Sequence, residues 1–172
     1  MAKTLLLLLG PNGVGKSTIA RALLNILPQT ALVDSDWCRS MNPYNRDTVS
    51  ENIYTLIKNY LLCPDIEIVI FPYGFHGDRK QRFLAVKEKL NKDSIVFKTF
   101  IVILTCSLEE NIRRAENDQR DDERIKRGIK NTHRFYDEFD YPKIDTTNLT
   151  VEQITENIIS LLKKRRNLNE YL

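Results

Sequence analysis

The 172-residue sequence predicts an α/β domain, a parallel sheet covered by helices on both faces. Three observations predict it. Short apolar runs rich in Leu, Ile, Val and Phe recur along the chain, helix-period patterns separate them, and a glycine loop joins the first run to the first helix. The third and fourth runs are continuous rather than alternating, as strands buried on both faces require.

The first strand spans residues 4–9, where Thr4 leads five leucines. A helix over 17–27 follows, with Ile19, Ala20, Leu23, Leu24 and Leu27 on one face and Pro28 as its stop. The second strand covers 31–33 and ends in Asp34-Ser35-Asp36. A helix over 52–62 carries Ile53, Leu56, Ile57, Tyr60 and Leu61 on one side. The third strand, 66–71, leads to a helix over 79–90 with Phe83, Val86 and Leu90 as its inner stripe and Asp78/Gln81 spaced as a capping box. The fourth strand spans 99–104. Ser107 and Glu110 then open a helix whose buried stripe is Leu108, Ile112 and Ala115. A short strand at 143–145 precedes Leu149-Thr150-Val151-Glu152-Gln153-Ile154, a capping box with a hydrophobic staple.

Bulk properties narrow the function classes. The length suits one domain over 1–172, and no apolar run approaches a membrane span. The chain runs from Met1 almost directly into a strand, so a mature, cytoplasmic protein is expected. Cys38, Cys63 and Cys106 are far apart and His76 and His133 solitary, which argues against a zinc site or disulfide framework. A net charge of +3 suits an anionic ligand without demanding nucleic acid. The basic tail Lys163-Lys164-Arg165-Arg166 reads as a solvated helix end that complements the dipole, with a nucleic-acid patch as the less favoured alternative.

Chemistry enters at Gly10-Pro11-Asn12-Gly13-Val14-Gly15-Lys16-Ser17-Thr18, which fits G-x-x-x-x-G-K-[ST] between a strand and a helix. The glycines let backbone N–H groups surround phosphate oxygens, and the helix N-terminus adds partial positive charge. Lys16 reaches the outer phosphates and the Ser17 hydroxyl suits Mg²⁺. The third strand ends Phe71-Pro72-Tyr73 without the acid that motor and transport ATPases place there. The second strand supplies acids instead. Two apart on an extended segment, Asp34 and Asp36 are expected to point the same way, into the cleft. One carboxylate near the metal and one near an acceptor hydroxyl is what a kinase needs; the alternative is that either acid caps the following turn.

Arg113, Asn117, Arg120 and Arg124 fall on a single helical face, a stripe able to cover a triphosphate. Interleaved acids leave open that these arginines pair along a solvated helix. Spacing makes Arg120 the foremost lid residue and does not separate Arg113 from Arg114. The acceptor region is expected at residues 37–62 and 72–79, the lid at 113–130. Trp37, Tyr73 and Phe75 are stacking candidates there, Arg39 and Arg79 anion-binding ones, and His76 a less favoured base.

These motifs, together with Leu104-Thr105-Cys106-Ser107 and the run from Ile144 to Thr150, resemble the small P-loop kinases of the nucleoside-monophosphate-kinase-like group. That group includes shikimate kinase, gluconate kinase, chloramphenicol phosphotransferase and polynucleotide kinase. The resemblance implies a three-layer fold with five parallel strands in the order 2-3-1-4-5 and an arginine-bearing lid. It further implies ATP and Mg²⁺ as cofactors. Asp36 corresponds to the general base and Asp34 to a Mg²⁺–water contact, a split of roles that stays open. Lys16 and Arg120 correspond to the charge-stabilising cations, and Arg113, Arg114 and Thr147 to the nucleotide side, the loop after the last strand lying along adenine. The expected activity is γ-phosphoryl transfer to a small-molecule acceptor. Rivals are an ATPase or regulatory module without acceptor, and a polynucleotide 5′-hydroxyl kinase. Neither N-K-x-D nor L-S-G-G-Q occurs, and no continuous basic and aromatic track suits a single strand. No feature of the sequence indicates an oligomeric state.

Overall fold

Five leucines in a row can all be buried only if the strand is covered on both sides, and β1 (Lys3–Leu9) is: Leu5 to Leu9 are each fully buried. A computed structural model describes residues 3–117 and 128–168, with side chains of the last helix to 164. Elements follow as α1 (Lys16–Ile26), β2 (Thr30–Leu32), α2 (Ser35–Cys38), α3 (Arg46–Leu62), β3 (Ile68–Pro72), α4 (Arg79–Lys92), β4 (Phe97–Thr105), α5 (Leu108–Asn117), β5 (Lys143–Asp145) and α6 (Val151–Leu168). Residues 128–132 add a short helical stretch.

The sheet is wholly parallel in the order β2-β3-β1-β4-β5. Side-chain alternation splits the core. Leu5, Leu7 and Leu9 pack with Val69 and Phe71 beneath α3 and α4, whereas Leu6 and Leu8 pack with Ile70 and Val102 beneath α1 and α6. Each such leucine contributes about 1.5–3 kcal/mol by burial. Because β1 has neighbours reached by crossovers in opposite directions, its C-terminal end is a topological switch point, where open α/β sheets bind ligands.

The elements expected from sequence are present, with instructive shifts. Helix α3 begins at Arg46, six residues earlier than its apolar pattern, because the Asn45 side chain caps the Thr48 amide at 2.8 Å. The Thr150/Gln153 box closes reciprocally, at 3.0 and 3.3 Å. The Ser107 hydroxyl accepts from the Glu110 amide, but Glu110 turns its carboxylate to two arginines instead of completing the box. Asp78 makes no cap bond to α4; its carboxylate pairs with Arg46 and Arg82. Charge attraction outcompetes the cap there.

The stripe expected in α5 is rotated. Asn111 and Ala115 are buried, while Leu108 and Ile112 are exposed. Gly13 explains it: a Cβ there would come within 2.9 Å of the Asn111 side-chain oxygen, so the missing side chain makes room for the amide. No helix among the described residues is long and apolar enough to cross a membrane.

Candidate active site

The loop from Gly10 to Gly15 leaves β1 with two glycine-dependent turns. Gly10 has φ +145°, and a side chain there would collide with the Leu104 carbonyl; Gly13 has φ +82°. No side chain caps α1, whose N-cap is Gly15, so its first-turn amides are not spent on a side-chain oxygen. The Lys16 ammonium folds over the loop and donates to the carbonyls of Gly10 at 2.9 Å and Pro11 at 2.7 Å. Ser17 and Thr18 stand beside it, and a cavity of about 430 Å³ opens here. Its other walls are Ser35 and Asp36 from α2, Arg39 just after it, Pro72 at the end of β3, Tyr73 and Gly74 beyond it, Arg79, and Ala115, Gly128 and Ile129.

Three side chains brace this loop: Arg114, which the family resemblance named, and Thr132 and Tyr136, to which no motif pointed. Arg114 donates to the Val14 carbonyl at 3.1 Å, the Thr146 hydroxyl at 2.9 Å, the Thr146 carbonyl at 2.8 Å and Glu110 at 2.7 Å. It thereby ties the phosphate loop to α5 and to the turn after β5. The Thr132 hydroxyl accepts from the Asn12 amide at 3.2 Å and donates to the Gly128 carbonyl at 2.5 Å. Tyr136, fully buried, accepts from the Phe75 amide at 2.9 Å. Burial pushes its phenol up, opposed by the amides of Phe75 and Gly10. Tyr136 thus lies between the start of the glycine loop at Gly10 and the loop that follows β3 at Phe75. The aromatic run Phe135-Tyr136…Phe139…Tyr141 was its only sequence signal.

The arginines and Thr147 separate by partner. Arg113 is exposed and makes a two-pronged pair with Glu110, both bonds at 2.7 Å, so the solvated-pair alternative describes its contacts. The two guanidiniums beside Glu110 hold its carboxyl down at about 2. Thr147 accepts from the Ser107 amide and donates to Asp145, an internal turn that does not line the cavity. Arg120 and Arg124 lie outside the described residues.

The extended-strand alternation expected for Asp34 and Asp36 does not apply, because α2 starts at Ser35. Asp34 caps that helix, accepting from the Asp36 amide at 2.9 Å, and its other oxygen lies 3.6 Å from Arg21. Asp36 lines the cavity. It is the only carboxylate to do so among the described residues, with Arg39 3.5 Å away.

The aromatic expectations divide as well. Tyr73 is buried and lines the cavity. Phe75 is a core residue against Phe83 and Phe139, which corrects its reading as a stacking platform. Trp37 is 77% exposed and outside the cavity wall. Arg79 is half-buried over the Tyr73 ring. Beside it the His76 imidazole, its Nδ1 buried without a partner, is pushed down to about 4 by burial and by Arg79, Lys16 and Arg39. His76 is therefore neutral at pH 7.

Strand order, glycine loop at the switch point and helices on both faces define the P-loop fold in its small-kinase arrangement. Solved structures place the chain in the same fold. A tunicamycin resistance protein from Deinococcus radiodurans superposes with TM-score 0.66 at 14% identity, covering 94% of this chain and 96% of that one. A gluconokinase from Sinorhizobium meliloti gives 0.64 at 13% identity, over 99% and 97%. A shikimate kinase from Bacteroides thetaiotaomicron gives 0.54 at 18% identity, over 93% and 98%. In sequence, 90 residues are 32% identical to the magnesium-chelatase subunit ChlI of Mesostigma viride, half of this chain but only 25% of that protein. No family model matches.

Proposed function

We propose that the chain is an ATP-dependent phosphotransferase, moving the γ-phosphoryl group of ATP to the hydroxyl or phosphate of a small-molecule acceptor. The observation that carries this reading is Asp36, a carboxylate on the wall of the same cavity as Lys16 and Ser17. The acceptor oxygen forms a bond to the γ-phosphorus while the bond from that phosphorus to the bridging oxygen breaks, releasing ADP. For a hydroxyl acceptor, the proton passes to Asp36, which orients the attacking oxygen. Lys16, now on two carbonyls, exchanges them for phosphate oxygens, and the uncapped amides of α1 receive the same charge.

The residues present fit Mg²⁺. No cluster of three acidic, His or Cys ligands occurs among the described residues, and Mg²⁺ at such sites takes one or two protein oxygens and completes its shell with phosphate and water. The Ser17 hydroxyl is the direct ligand we assign, with Asp34 as the outer contact. The bound ion would neutralise charge on the phosphoryl oxygens. Arg120 is assigned to the transferring group, and Arg113, Arg114 and Thr147 to the nucleotide side, Arg114 acting through the Val14 carbonyl it holds. A cytoplasmic location accords with these ligands.

The ChlI similarity favours a second reading, a nucleotide-hydrolysing module without acceptor. A screen of hydroxyl compounds, nucleosides and antibiotics for ADP release separates the two. On the first reading at least one compound raises release above the acceptor-free rate, and Asp36→Ala removes that increment while retaining Mg-ATP affinity. Release that no compound accelerates, with Asp36→Ala unchanged, sinks the kinase reading.

A further inference from the structure

We propose that the acceptor is an anion, carrying a carboxylate or phosphate group that Arg39 and Arg79 hold while its reactive oxygen faces Asp36. The inference rests on the phosphotransferase reading and specifies its substrate class. Among the described residues the cavity wall presents three cations, Lys16, Arg39 and Arg79, against the single carboxylate of Asp36. Lys16 serves the nucleotide, which leaves two guanidiniums on the side of the cavity built from the ends of β2 and β3.

Their partners are the decisive detail. The Arg79 guanidinium makes no ion pair and no hydrogen bond among the described residues and lies over the Tyr73 ring, although the residue is half-buried. The acid beside it in sequence, Asp78, is occupied by Arg46 and Arg82. Burial and the neighbouring guanidiniums of Arg39 and Arg82 all work against its charge, offset in part by Tyr73 and Asp36. Arg39 uses its Nε on the Ser35 carbonyl at 3.2 Å and on Asp36 at 3.5 Å, with no bond from its two terminal nitrogens among the described residues. A desolvated guanidinium without a counter-ion is costly, and a planar fork recognises carboxylate or phosphate in two-pronged fashion. Gly74 keeps the approach clear, since a Cβ there would press on His76 at 2.7 Å and lie 3.6 Å from the Arg79 fork. His76, held neutral, adds no charge but is well placed to sense one.

The test uses the full chain with a non-hydrolysable Mg-ATP analogue and matched ligand pairs: glycerate or glycerol 3-phosphate against glycerol, AMP against adenosine, and inorganic phosphate. At least one anion is expected to bind tenfold or more tighter than its neutral partner, and the pairs separate carboxylate from phosphate. Arg79→Gln and Arg39→Gln are expected to erase that preference, Arg79→Lys to keep part of it, and Mg-ATP affinity to stay within threefold. With only two histidines in the chain, the His76 resonance reports occupancy directly, its midpoint near pH 4 rising when an anion binds. No preference for any anion in the wild-type protein overturns the proposal. So does an Arg79→Gln variant that weakens Mg-ATP instead, which would assign the pair to the nucleotide. Anions that bind with this preference yet never raise ADP release when Mg-ATP replaces the analogue would spare the anion site and remove the kinase reading. Acceleration by neutral and charged hydroxyl compounds alike would do the reverse.

Discussion

The two sides of the cavity are built from different material. On the phosphate-loop side the functional groups are main-chain amides and carbonyls, held in place by Arg114, Thr132 and Tyr136. On the opposite side they are side chains: Asp36, Arg39 and Arg79, carried on a four-residue helix, the residue that ends it and a helix start. The first side has its main-chain groups tied by bonds within the fold, and on the proposed reading it serves what every triphosphate shares. The second holds guanidiniums with few partners among the described residues, and on the same reading it would distinguish one acceptor from another.

The comparison breaks most sharply at Lys16. Lys16→Ala is expected to lower phosphoryl transfer by about 10²–10³-fold, since one preorganised charge on the developing phosphoryl oxygens is lost. Single-turnover ADP formation measures it, and a loss under threefold would show that main-chain donors suffice.

Next come two adjacent arginines that sequence spacing could not tell apart. Arg114→Met removes four bonds, two of them to main-chain carbonyls, and is expected to cost about 1.5–3 kcal/mol of stability, weakening Mg-ATP binding as well. Arg113→Met removes an exposed pair with Glu110 and should leave the melting temperature unchanged. Equal effects in thermal unfolding would erase the distinction drawn between brace and surface.

Tyr136→Phe probes the connection between the sides. It strips the buried Phe75 amide of its acceptor, and about 1–3 kcal/mol of destabilisation is expected. If that hydroxyl positions both loops, the acceptor KM and the Mg-ATP affinity change together; a change in stability with both constants intact would reduce it to packing.

The last test concerns pH. Unfolded His76 takes up a proton near 6.5, folded His76 only near 4, chiefly because it is buried. Between those values the unfolded chain binds more protons, so this residue contributes a stability loss as pH falls from 6.5 to 4 and none above. His76→Gln should flatten that slope in urea titrations at pH 7 and pH 5.

The same division explains what the sequence made legible. The phosphate loop, the strand order and the leucine strand follow from local spacing and from a resemblance that covers nearly the whole chain. The acceptor side did not, because α2 is too short to show a period. One residue of helix at Ser35 was enough to send Asp34 to a cap and Asp36 to the cavity. In α5, apolar periodicity pointed to Leu108 and Ile112, yet Gly13 makes a pocket for Asn111 and turns Arg114 inward. A pattern within one helix cannot register a missing side chain on the loop it faces.

Trp37, next to Asp36 and turned outward, has a practical consequence. It is the single indole of the chain, so its intrinsic fluorescence comes from one solvent-bathed fluorophore next to Asp36. If an acceptor binds as proposed, a blue shift on mixing would time its arrival without any label.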